Sequence, residues 1–147
     1  MSLATICDAL AAISVTANGV TPTAYSYDEL KNSYDKADLP ARLIMPFGER
    51  AEGALNAITI AGNAQAVWTL TDLLLWDTIG QGRGLPDMYP ALVAYIDAYT
   101  AAVKSHFRLI KTPAATIENV RFSPGSWTFG DKTYWGVECR LTIREIG

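Results

Sequence analysis

The chain has 147 residues, half of them apolar and 18% charged, with a formal net charge of −3. That length suits one domain, residues 1–147, with its own core, and the composition is globular and not disordered. The acidic balance argues against free nucleic acid as a partner of the whole surface, because phosphate binding wants clustered Lys and Arg.

The first cationic residue is Lys31, so the positive n-region of a signal peptide is missing. Apolar runs fall far short of the roughly 20 residues that cross a bilayer. No membrane partner is expected.

Ser2 is placed to cap a first helix. Leu3, Ile6, Cys7, Leu10 and Ile13 then recur at helical spacing, and Asn18-Gly19 is the expected stop. Val20 to Ser26 reads as a short extended piece that Pro22 confines to a sheet edge. Asp28 to Lys36 is polar, either a turn of helix or a loop. Leu39-Pro40 opens a strand from Ala41 to Phe47, with Leu43, Met45 and Phe47 on one side. Glu49 to Gly53 is a charged loop. Ala54 to Ile60 is a second strand, and Gly62-Asn63 the turn after it.

Ala64 to Trp76 reads as a long strand that is apolar on both faces, with Trp68, Leu70, Leu74 and Trp76 on one and Val67, Leu73 and Leu75 on the other. It is either covered on both sides or leaves the sheet to meet a neighbour. Gly80 to Gly84 is a glycine-rich loop. It lacks the Gly-Lys-Ser/Thr ending and the βαβ context of a phosphate loop. A helix from about Pro86 to Phe107 follows, with Met88, Leu92, Tyr95, Ile96, Tyr99, Val103 and Phe107 as its apolar stripe and Pro90 in its first turn.

Thr116 to Phe122 is a strand, Ser123-Pro124-Gly125-Ser126 a type II turn, Trp127 to Phe129 a short extended piece, and Gly130-Asp131 a turn. The final strand alternates strictly. Trp135, Val137, Cys139, Leu141 and Ile143 fall on one side; Tyr134, Gly136, Glu138, Arg140, Thr142 and Arg144 fall on the other. The expected class is α+β: a mainly antiparallel sheet packed against one long helix and a shorter N-terminal helix.

The chemistry is sparse. The single histidine, His106, ends the long helix, where the dipole favours it without any catalytic role. Asp72 and Asp77 flank the end of the long strand and form the one carboxylate pair worth weighing for acid–base work; Asp77 reads as solvated loop and Asp72 as an edge or interface residue. Cys7 and Cys139 are too few for a disulfide framework and read as small buried hydrophobes, in keeping with a reducing compartment. No catalytic, cofactor or metal residue is assigned. Trp68 and Trp135 suit a core, whereas Trp76 and Trp127, near strand ends, suit core and contact equally. Local basic groups are Arg140 and Arg144 on one strand face, and His106, Arg108 and Lys111 close in sequence.

The arrangement resembles the tail terminator and related tail-completion, head–tail joining proteins of long-tailed bacteriophages. A short amphipathic helix leads through an extended segment to Ala37-Asp38-Leu39-Pro40-Ala41-Arg42-Leu43-Ile44-Met45-Pro46. A hairpin enters the long strand Ala64 to Trp76, and one long helix follows. The chain closes on Gly136-Val137-Glu138-Cys139-Arg140-Leu141-Thr142-Ile143. The resemblance implies a non-enzymatic virion or prophage structural protein found in the virion and, during assembly, in the host cytoplasm. It implies a homo-oligomeric ring, typically a hexamer, that caps the tail tube and docks to neck or connector proteins while DNA passes through its lumen without specific binding. No residue-level site transfers. The candidate interface residues are Trp76, Trp127, Glu138, Arg140 and Arg144, with Glu49, Arg50 and Arg83 from the two loops. Two readings compete with this one: a small-ligand-binding α+β domain with an apolar pocket between sheet and long helix, and an enzyme built on His106, Asp72 and Asp77.

Overall fold

A computed structural model describes residues 3–46, 55–59, 65–79, 84–111 and 114–146. Helix α1 spans Leu3–Ala11 and helix α2 Leu85–Ser105. The strands are β1 Thr23–Tyr25, β2 Ala41–Met45, β3 Leu55–Thr59, β4 Gln65–Thr78, β5 Arg108–Ile110, β6 Ala114–Phe129 and β7 Lys132–Ile146. They form one seven-stranded sheet in the order β1-β2-β4-β7-β6-β5, with β3 paired to the first half of β4. Only β1 and β2 run parallel. The α+β class read from the sequence holds. Helix α2 carries the chain from β4 across to β5 and β6, and β7 then returns between β4 and β6.

Core packing explains why β4 is apolar on both sides. Its Leu70 and Leu74 join Ile6, Cys7 and Leu10 of α1, Tyr95 and Tyr99 of α2, and Val137, Cys139, Leu141 and Ile143 of β7. Leu73 and Leu75 point the other way, into a second cluster with Tyr34, Ala41, Leu43, Met45 and Tyr134. Each fully buried aliphatic side chain of this kind contributes about 1.5–3 kcal/mol. The first cluster lies on the helix face of the sheet. The second lies on the outer face, where residues 26–40 fold back over one half of it.

Three expectations are corrected. Helix α1 stops at Ala11, not at Asn18-Gly19. Ile13, Val15 and Ala17 are buried alternately, a strand-like period, and Asn18 and Gly19 take φ of 51° and 76° to close a two-residue hairpin between Ala17 and Val20. Of the two readings of the polar stretch from Asp28, the loop is the one found, with a single 3-10 turn over Lys36–Asp38. Ser123-Pro124-Gly125-Ser126 is no turn but lies inside β6, Pro124 opposite Val137 and Gly125 opposite Gly136. β5 borders only Ala115 and Thr116, so β6 is an edge strand at Pro124 and its missing N–H leaves no ladder bond unmade. Pro90 lies in the second turn of α2, on its exposed side.

The Gly130-Asp131 turn is found where expected, joining β6 to β7. Gly136 answers a different need. A Cβ there would sit 1.8 Å from the Leu74 carbonyl oxygen, next to an irregularity in the β4–β7 ladder between Leu75 and Asp77. Phe47, the Glu49–Gly53 loop with Arg50, the Gly62-Asn63 turn and most of the Gly80–Gly84 loop, with Arg83, lie outside the described residues.

Candidate functional site

Two arginine environments flank the central strands, and they differ in kind. The first is sealed. Arg42 of β2 and Asp72 of β4 are 1% and 0% exposed, and Arg42 Nη2 donates to Asp72 Oδ2 at 2.6 Å while its Nε donates to the same oxygen at 3.3 Å. Tyr99 Oη donates to Asp72 Oδ2 at 2.8 Å. The guanidinium also donates to the Ile13 carbonyl and, at 3.3 Å, to that of Leu10. Leu10 lies in the last turn of α1, where unpaired carbonyls and the helix dipole favour a cation. Burial alone would lower the Arg42 pKa, but the Asp72 carboxylate outweighs it and the shift is upward. Arg42 therefore pins the end of α1 to the sheet.

Around this pair, burial raises the pKa of Tyr95, Tyr99 and Cys139, and the charge of Asp72 adds to it. The Tyr95 hydroxyl feels the guanidinium but makes no hydrogen bond of normal geometry. Burial, with the nearby Asp8 and Asp28, pushes the Cys7 thiol up to about 11. Both cysteines are free and buried, as packing residues should be. Asp72 is thus neither an edge nor an interface residue. Asp77 stands apart from it, at the far end of β4, and accepts the Thr78 N–H at 2.8 Å.

The second environment is open. On the outer face, beyond the half that residues 26–40 cover, cross-strand register places Arg108 of β5 beside Thr116, Thr116 beside Arg144, and Arg121 directly opposite Arg140. Four of the chain's twelve Lys and Arg residues therefore share one half-face of an acidic protein. Two acids accompany them. Arg144 Nε donates to Glu118 Oε1 at 3.2 Å and its Nη1 to Gln65 Oε1 at 3.2 Å, while Arg140 Nε stands 3.9 Å from Glu138 Oε1. Arg121 has no ion-pair partner among the described residues, and like charges directly opposite each other repel. Arg108 lies over the Phe107 ring at 5.6 Å. Planar guanidinium forks of this kind suit carboxylates and phosphates.

A groove of about 430 Å³ opens between the C-terminal half of α2 and β6, lined by Val103, Phe107, Ile117, Val120 and Phe122 with Lys104 beside them. Phe107 is 46% exposed there. Alongside the groove, the β6 edge beyond Ile117, whose N–H reaches the Phe107 carbonyl at 2.7 Å, has no strand partner among the described residues.

The residues singled out from the sequence separate accordingly. Glu138, Arg140 and Arg144 are gathered on the open outer face. Trp76 and Trp127 are half-buried at one end of the sheet on opposite faces, Trp76 against the first cluster and Trp127 against the second. Glu49, Arg50 and Arg83 lie outside the described residues. His106 is exposed and its Nδ1 donates to the Ala102 carbonyl at 2.9 Å, closing the end of α2. Sequence reasoning missed Arg42, Arg121 and the role of Tyr134. Arg42 carried a usable signal: a charge at an inward position of an otherwise apolar strand needs a buried partner. No family model, curated protein or solved structure matches the chain. Among the described residues no helix is long and apolar enough to cross a membrane, and no three His, Cys, Asp or Glu side chains gather as a metal site would require.

Proposed function

We propose that the chain is a non-enzymatic assembly protein of a phage or prophage particle, working as tail terminators do. Copies join in a closed ring, a hexamer in the family it resembles, that caps the tail tube and docks to the neck, with DNA passing through without specific binding. One observation carries this reading. Among the described residues the outer sheet face is covered over one half only, and the other half bears Arg121 directly opposite Arg140, beside Glu138 and the Arg144–Glu118 pair, a register in which Arg121 asks for opposite charge from outside the subunit. The remaining acids of a chain with net charge −3 supply that charge on other surfaces of the next copy. The ionisable groups of the core support the reading too, because Arg42, Asp72 and Tyr99 are mutually satisfied and closed to substrate. Electron micrographs of concentrated protein test it: closed rings of uniform diameter are expected, and isolated particles of one subunit at every concentration would refute it.

The α2–β6 groove favours a second reading, in which an apolar small molecule binds between sheet and long helix. An anilinonaphthalene-sulfonate titration checks it. Saturable one-to-one binding that Phe122→Ala weakens would support a ligand site, and absence of saturable binding would remove it.

A further inference from the structure

The open edge of β6 has a feature that a solvated edge does not need: it borders the apolar groove along the same stretch that is free to pair. β5 covers only Ala115 and Thr116. Pro124 has no N–H, so it sits where that group would point away from β7. By the same alternation the backbone N–H and C=O groups of Val120 and Phe122 point outward, and the side chains of those two residues line the groove. The pairing-competent length of the edge, Glu118 to Ser123, therefore coincides with the groove, and Pro124 closes it at one end. On the opposite sheet face the same stretch presents Arg121, with Arg140 directly behind it on β7. Glu118 is engaged by Arg144.

We propose that β6 accepts an added strand: an extended segment of a partner protein in which apolar and acidic side chains alternate. The backbone of that segment would continue the sheet. Its apolar side chains would enter the groove against Val103, Phe107 and Phe122, and its acidic side chains would meet Arg121. Charge selects this occupant over a second copy of the chain. Two β6 edges brought together would place two Arg121–Arg140 pairs at one seam with no acid between them. The inference goes beyond the ring and competes with it for Arg121, so the titration below is made at a dilution where the chain sediments as a monomer, which presents the same edge.

The probe is a capped synthetic decapeptide alternating Val and Glu, with a Val/Lys peptide of equal length as its counterpart, added to the full chain. Fluorescence anisotropy measures affinity, and hydrogen exchange locates binding. Saturable binding of the Val/Glu peptide is expected, with new protection at the Val120 and Phe122 amides. Arg121→Glu is expected to weaken that peptide roughly fivefold and to favour the Val/Lys peptide. Val120→Pro, which removes an outward N–H and no bond to β7, is expected to abolish binding while the melting curve stays cooperative. Phe122→Ala offers the same test through the groove should Val120→Pro not fold. Absence of saturable binding, protection elsewhere on the chain, or affinity indifferent to Arg121→Glu would overturn the proposal. So would dimerisation through β6, because it would name a second copy as the occupant.

Discussion

Arg42 and Arg140 approach the same strand from opposite faces, one at Asp72 and the other opposite Thr71. Arg42 is 1% exposed, and Asp72 and two carbonyls satisfy it. Arg140 is 45% exposed, with Glu138 at 3.9 Å and Arg121 across the ladder. The residue type is the same, and surroundings alone decide whether it fastens the fold or stays available. A sealed, hydrogen-bonded ion pair offers little to a partner, because reaching it would require unpacking the core. An open face of solvent-exposed guanidinium groups contributes little to stability and much to recognition.

Breaking the sealed side has the largest effect. Arg42→Met leaves Asp72 buried without its cation and is expected to cost roughly 3–5 kcal/mol, with a fall in Tm on the order of 10 °C in thermal melts. Arg42→Met combined with Asp72→Leu should recover most of that loss, because the unpaired charge is what costs. A double variant no more stable than Arg42→Met would contradict this account. Gly136→Ala comes next. Its methyl group meets the Leu74 carbonyl, and roughly 3 kcal/mol or insoluble expression is expected.

Alkali probes the same core more gently. Buried Cys7, Cys139, Tyr95 and Tyr99 have pKa values raised by burial, so the folded chain holds protons that the unfolded chain has released. Stability from these groups is complete below about pH 8.5, the ordinary cysteine value. It declines as pH rises through the ordinary thiol and phenol range, with Cys7 retaining its proton until about 11. Urea titrations at pH 7, 9 and 10 should show the midpoint falling steadily, and a flat midpoint would mean that these groups are not buried in solution.

The open side predicts the smallest change in stability. Arg140→Glu and Arg144→Glu together should move the unfolding free energy by no more than about 1 kcal/mol, while abolishing the self-association proposed above.

Where the sequence was informative, a strong period made it so. The stripe of α2, the two-sided strand β4 and the alternation of β7 all rest on repeated apolar spacing, and all three elements are present. The misreadings fall where local chemistry depends on tertiary context. Pro124 looks like a turn residue until the missing neighbour of β6 is known. Tyr134 reads as part of a polar face, but its hydroxyl donates to the Tyr34 carbonyl at 2.8 Å and accepts the Tyr34 N–H at 3.0 Å, a pairing across 100 residues. Leu30, Tyr34 and Leu39 are scattered through a polar stretch, so no period announces that residues 26–40 cover half a sheet face. The candidate surface was partly legible: Glu138, Arg140 and Arg144 follow from alternation within one strand. Arg121 and Arg108 join them only through register between strands, which spacing along the chain does not contain.

Sedimentation velocity of the wild-type chain beside the Arg140→Glu/Arg144→Glu variant, at equal concentration and low salt, addresses the central claim most directly. The account predicts a single large species for the wild type, and a monomer with an undisturbed melting curve for the variant. Identical sedimentation of the two proteins, whether both monomeric or both assembled, would contradict it.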